Sequence, residues 1–149
     1  MTTEISIHAV HEGGMRVTAG DNKHQVTMDY PMHPGDGSAG LTPLKTLLAC
    51  LAACSLSTLS LVLTKMKQPV DGLEVEAHAL RRQKHPTVLT GISLAFTVTG
   101  NAVDRLAVER AIKIAESELC PVWNMLKSST PIHATFQLVE KPIVPIAKS

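Results

Sequence analysis

The sequence predicts an α+β fold, with antiparallel sheets set around one long buried helix. Three observations predict it. Apolar and polar residues alternate with strand period near the N-terminus, after Gly72 and again after Pro131. The stretch Leu47–Leu63 is almost free of charge, rich in Leu and Ala, and too long for a strand. Helical spacing recurs only once more, over 104–127. The order reads three strands, helix, two strands, helix, strand, within a single domain spanning 1–149.

Each element has its own signal. Ile5, Ile7 and Ala9 alternate with Ser6 and His8, and Gly13-Gly14 then marks a turn. Met15, Val17 and Ala19 form a second strand, closed by Gly20-Asp21-Asn22. Val26, Met28 and Tyr30 continue the pattern, so 4–30 is an antiparallel meander. Pro31 to Gly40, with two prolines and three glycines, is an exposed and mobile loop. Thr42 then caps a helix and Pro43 opens it. That central helix runs over 42–67, ending before Pro69 with Lys65 and Lys67 in its last turn.

Leu73, Val75, Ala77 and Ala79 pair with Ile92, Leu94, Phe96 and Val98 as an antiparallel hairpin over 72–99. Asp104 caps a helix reaching Leu119, with Val108, Ile112, Ala115 and Leu119 on its buried face. Pro121 interrupts it, so a short second helix runs from Pro121 to Lys127 with Cys120 at its start. Ile132, Ala134, Phe136 and Leu138 mark a last strand over 131–139, and Lys141–Ser149 is a loose tail. The last part alone, β-α-β-β-α-β, also suits a ferredoxin-like sheet.

Composition excludes several classes. Lys and Arg number 14 against 13 Asp and Glu, for a net charge of +1. No basic stripe interleaved with aromatics is present, so nucleic acid is not expected as a partner. Phe96, Phe136, Trp123 and Tyr30 are the only aromatics, so the core is aliphatic. Leu47–Leu63 falls short of the roughly 20 apolar residues of a membrane span and reads as the buried centre of a soluble fold. Three cysteines, an odd number, do not suit a secreted disulfide scaffold. Met1-Thr2-Thr3-Glu4 lacks the charged start and apolar run of a signal peptide, so a cytoplasmic location is expected.

The cysteines are the candidates for chemistry. Cys50 and Cys54 lie one helical turn apart on one face, and their Leu and Ala neighbours predict that both are buried. A thiol in apolar surroundings has a raised pKa and is inert unless something offsets the burial. Cys120 precedes Pro121 at a helix N-terminus, where free backbone N–H groups lower a thiol's pKa. Metal binding has little support: neither CxxC nor HExxH occurs, and His8 and His11 lie far in sequence from any Cys. No G-x-S-x-G supports a serine hydrolase. The glycines of 35–40 do not link a strand to a helix in the phosphate-cradling way. No cofactor is expected.

Leu41-Thr42-Pro43-Leu44-Lys45-Thr46-Leu47-Leu48-Ala49-Cys50-Leu51-Ala52-Ala53-Cys54-Ser55 resembles the central-helix signature of the OsmC/Ohr superfamily. Ser117-Glu118-Leu119-Cys120-Pro121-Val122 resembles that family's second signature. The resemblance implies an intertwined homodimer with the central helices packed against each other. It also implies thiol-dependent reduction of organic and inorganic hydroperoxides, with Cys54 peroxidatic, Cys120 resolving and an external dithiol as reductant. Cys50 has no family role and reads as packing. Better-known peroxidase members carry Glu where Leu44 stands, beside an activating Arg. Arg16 is the candidate for that cation here, and Arg81 and Arg82 are the substitutes. Leu44 motivates a second reading, a non-peroxidase stress protein holding a small apolar or electrophilic ligand in its dimer cleft. A third is another thiol reaction on the same pair, disulfide exchange or electrophile detoxification.

Overall fold

The computed structural model describes residues 1–142, so the expected loose tail falls, from residue 143 on, outside the described residues. Over the described residues the fold is α+β, with two three-stranded sheets and three α-helices. Met1–Leu48 forms one compact unit and the chain from Ala49 onward a second.

In the first unit β1 (His8–Gly13), β2 (Arg16–Gly20) and β3 (Gln25–Met28) make an antiparallel meander. Gly14, with φ 58°, opens the two-residue turn Gly14-Met15, and Gly13, with φ 106°, sits at the register shift that ends β1. Asp21 Oδ1 accepts from the N–H groups of Lys23 and His24, at 2.8 and 2.7 Å, and so fixes the next turn. Ile5 and Ile7 lie ahead of β1 and are exposed, although their alternation predicts a half-buried strand. Period two identifies a strand but cannot supply the surface that would cover it.

Thr42 caps α1 (Pro43–Lys65), its Oγ1 accepting from the N–H of Lys45 at 3.3 Å. The helix is apolar on every side, and by length and composition it could cross a membrane. Only 33% of its most apolar stretch is buried. The fully buried helix expected from the sequence is therefore not found within one chain. Residues Leu51, Ser55, Leu59, Val62 and Leu63 form the covered stripe. Among the described residues one stripe of the helix is covered, and Leu47 and Leu61 lie exposed outside it.

The second unit contains β4 (Gly72–Arg81), β5 (Leu89–Thr99) and β6 (Ile132–Val139), in that order. β4 and β5 pair antiparallel, while β6 runs parallel to β5. Antiparallel pairing thus holds for the meander and the hairpin but not for the last strand. The reason is the connection: α2 (Arg105–Ile114), a π-helical turn and α3 (Pro121–Leu126) carry the chain back as a crossover. Central strand β5 buries Ile92, Leu94, Phe96 and Val98 and turns Ser93 and Ala95 outward. Val108, Ala111, Ile112 and Ala115 from the helical segment complete the core, and two of the aromatics, Trp123 and Phe96, are its largest fully buried side chains, so the core is not purely aliphatic. Asp104 caps α2, its Oδ1 accepting from the N–H of Leu106 at 3.0 Å.

Candidate thiol site

Backbone geometry sets the position of Cys120. An α-helix continuing past Ile114 would carry Leu119 onto the stripe of Val108, Ile112 and Ala115. Instead Ala115–Leu119 forms one π-helical turn, closed by the Cys120 N–H donating to the Ala115 carbonyl at 3.0 Å. The wider turn takes up an extra residue and shifts the phase of the residues after it. Leu119 is 46% exposed, contrary to the sequence reading, and Cys120 is fully buried. Cys120 caps α3 in an extended conformation, and Pro121 sits at the first helical position, where its missing N–H costs nothing. The Cys120 carbonyl accepts from both the backbone N–H and the side-chain amide of Asn124, at 3.0 and 2.9 Å.

Cys54 comes from the middle of α1, flanking the buried stripe and half-buried. The Cys54 and Cys120 thiols lie within hydrogen-bonding reach of each other, and both are free. The Cys120 thiol is pushed up from 9.0 to about 11. Burial is the main cause. The Trp123 N–H, aimed at the sulfur, pulls the other way, as the Val122 N–H does more weakly. Cys54 beside it also pushes up, through its hydrogen bond and its charge. The lowered pKa expected from the helix N-terminus is therefore not found. The backbone donors are in place, but desolvation outweighs them.

The other candidates fall elsewhere. Cys50 is exposed and lies one turn before Cys54, so the expected burial of both helix thiols is not found. In a helix apolar on all sides the sequence carries no phase, and packing chose the stripe one residue further on. Arg16 lies in the first unit, its Nε 3.5 Å from Asp29 Oδ2. Asp29 is buried and its carboxylate also accepts from the N–H groups of Ala39 and Tyr30, at 3.0 and 2.9 Å. The Ala39 N–H is the largest cause holding that carboxyl below its usual range, and Arg16 contributes less. Arg81 and Arg82 brace the β4–β5 loop, donating to Thr87 and to the Pro86 carbonyl. Their guanidinium groups are thus committed to the loop.

Two features of the site have no clear sign in the sequence. One is the π-helical turn. Its trace is the spacing of buried Ala115 from Cys120, five residues rather than four. The other is the Trp123 indole N–H, buried without an acceptor among the described residues. Among those residues no group of three His, Cys, Asp or Glu side chains converges to hold a metal ion.

Chemically, the pair offers one half-buried thiol for attack and one buried, protonated thiol beside it. That is the arrangement needed to form a disulfide after the first sulfur is oxidised. The family model for OsmC-like proteins matches residues 35–135, which include both cysteines. Protein YhfA of Escherichia coli (strain K12) is 30% identical over 116 residues, covering 78% of this chain and 84% of that one. The crystal structure of an OsmC like protein from Mycoplasma pneumoniae superposes with a TM-score of 0.80 at 26% identity, over 93% of this chain and 99% of that one. An organic hydroperoxide resistance protein OsmC from Legionella pneumophila shares the fold at a TM-score of 0.66 and 16% identity, over 93% of this chain and 99% of that one.

Proposed function

The chain belongs to the OsmC-like protein family, and on that premise we propose that it is a thiol-dependent hydroperoxide reductase acting through Cys54 and Cys120. The observation that carries the reading is the hydrogen-bonding proximity of the two thiols, one half-buried and one buried. A Cys54 thiolate attacks the distal oxygen of ROOH, the O–O bond breaks, and the alkoxide leaves and takes a proton as ROH. Cys54 is then a sulfenic acid. The Cys120 sulfur displaces its hydroxyl, giving a Cys54–Cys120 disulfide and water. An external dithiol reduces that disulfide by two exchange steps and leaves as its own disulfide. Cys120 gives up its proton as its sulfur attacks, and that proton leaves with the hydroxyl as water. Arg16 is kept as the cation that activates Cys54, on the resemblance alone.

We further propose that the uncovered side of α1 is closed by a second copy, as a homodimer in the cytoplasm. Leu47 and Leu61, 40% and 51% exposed, support this reading. Light scattering behind size exclusion should give twice the chain mass.

One equivalent of cumene hydroperoxide should remove two free thiols per chain, and peptide mapping should recover a Cys54–Cys120 link. Unchanged peroxide consumption by Cys54→Ser would end this reading. Leu44, where better-known peroxidase members carry Glu, favours the alternative of a stress protein that binds a small apolar or electrophilic ligand. Binding without dithiol-supported turnover would select it.

A further inference from the structure

The outward face of the second sheet holds a feature that the thiol chemistry does not use. Strand register sets His78 on β4 opposite Ser93 on β5, and Ser93 opposite His133 on β6. The three residues therefore form one row across the sheet, and all three are exposed on the face opposite the core. Neighbouring strands lie about 4.8 Å apart, so the two histidine backbones are roughly 10 Å apart. The residue between them is small. Together with Gly91 it leaves a cavity of about 520 Å³ that both imidazoles line. Glu76, on the same face of β4, has its Oε2 3.5 Å from His78 Nε2.

We propose that this row binds one divalent transition-metal ion of the imidazole-seeking class, such as zinc, nickel or copper, between His78 and His133 above Ser93. Two imidazoles leaning inward over a small residue bring their nitrogens to opposite sides of one point, within reach of metal–nitrogen bonds of about 2.0–2.1 Å. The Ser93 hydroxyl and water fill the remaining positions. Nitrogen ligands favour these metals over calcium or magnesium, which seek oxygen. Glu76 acts through His78 as a positioning residue: a carboxylate beside a ligating imidazole fixes its orientation and raises its basicity. The side chains adjust by rotamer alone, because the strand register already fixes their backbones.

The test is a titration of the reduced full-length protein with Ni²⁺, followed by paramagnetic loss of backbone amide resonances. Losses should centre on His78, Ser93 and His133, with one ion per chain by calorimetry. His78→Ala and His133→Ala should each weaken binding about tenfold or more, and Glu76→Gln should fall in the roughly 10–100-fold range typical of such partners. None of these exposed positions belongs to the core, so each variant should keep the wild-type circular dichroism. Losses centred on Cys50, Cys54 or Cys120 would overturn the proposal, since the thiols would then be the ligands. Undiminished affinity in the double histidine variant, or no binding at all, would overturn it equally.

Discussion

The Cys120 N–H donates to the Ala115 carbonyl at 3.0 Å, five residues back, and this one widened turn decides which side chain faces the core. With it, Cys120 is buried beside Cys54 and Leu119 points outward.

Removing one residue from the turn, for example Glu116, should leave an ordinary α-helical turn with Cys120 four residues past Ala115, still on the buried face. The expected result is a folded protein by circular dichroism in which peroxide still yields the Cys54–Cys120 link. Loss of that link in the folded variant would refute the role given to the turn. As a companion, Leu119→Gln should change stability by less than about 0.5 kcal/mol, because the residue is exposed. Leu94→Ala, in the core, should cost about 2–5 kcal/mol by urea unfolding.

The Cys120 thiol, raised to about 11, makes stability depend on alkaline pH. The folded state holds that proton more tightly than the unfolded chain does. Its contribution is complete below the unfolded value of 9.0 and is lost as pH rises from there to about 11. Cys120→Ser should flatten this alkaline limb. Cys54→Ala should shift the Cys120 titration, read by thiolate absorbance, to lower pH, since Cys54 is one of the groups that raise it.

Asp29 gives the opposite limb. Its carboxyl is held below the usual range, so its stabilisation is present above the unfolded value and disappears as pH falls towards the folded one. Asp29→Asn should weaken the acid dependence of unfolding. Arg16→Gln should weaken it less, because the Ala39 N–H outranks the guanidinium as a cause. Equal effects from the two variants would contradict that ranking. The same Arg16→Gln protein tests the activating role: peroxide consumption should fall while the Cys54–Cys120 link still forms with excess oxidant.

Asp104→Ala removes the side-chain acceptor of the Leu106 N–H and should destabilise the fold by about 1 kcal/mol. In a chain of this size that lowers Tm by roughly 2–5 °C, which scanning calorimetry resolves.

Elements whose signals are local were legible in the residues themselves. Thr42-Pro43 and Asp104 announce helix starts because a cap needs one acceptor side chain near free N–H groups. The alternation of Ile92, Leu94, Phe96 and Val98 fixes the buried face of β5, because a strand has only two sides. The two cysteine motifs were legible by resemblance, and Cys54 does lie beside Cys120.

Features that depend on distant contacts were not legible. A helix apolar all round has no preferred side until something packs on it, so the exposure of Cys50 and the covered stripe from Leu51 were decided by the fold. The direction of β6 came from the crossover, not from its own alternation. The raised pKa of Cys120 obeys the same logic. Its sequence supplies backbone donors that favour the thiolate, and only the tertiary structure supplies the burial that outweighs them. Local hydrogen bonding is written in neighbouring residues, whereas desolvation belongs to the whole packed molecule.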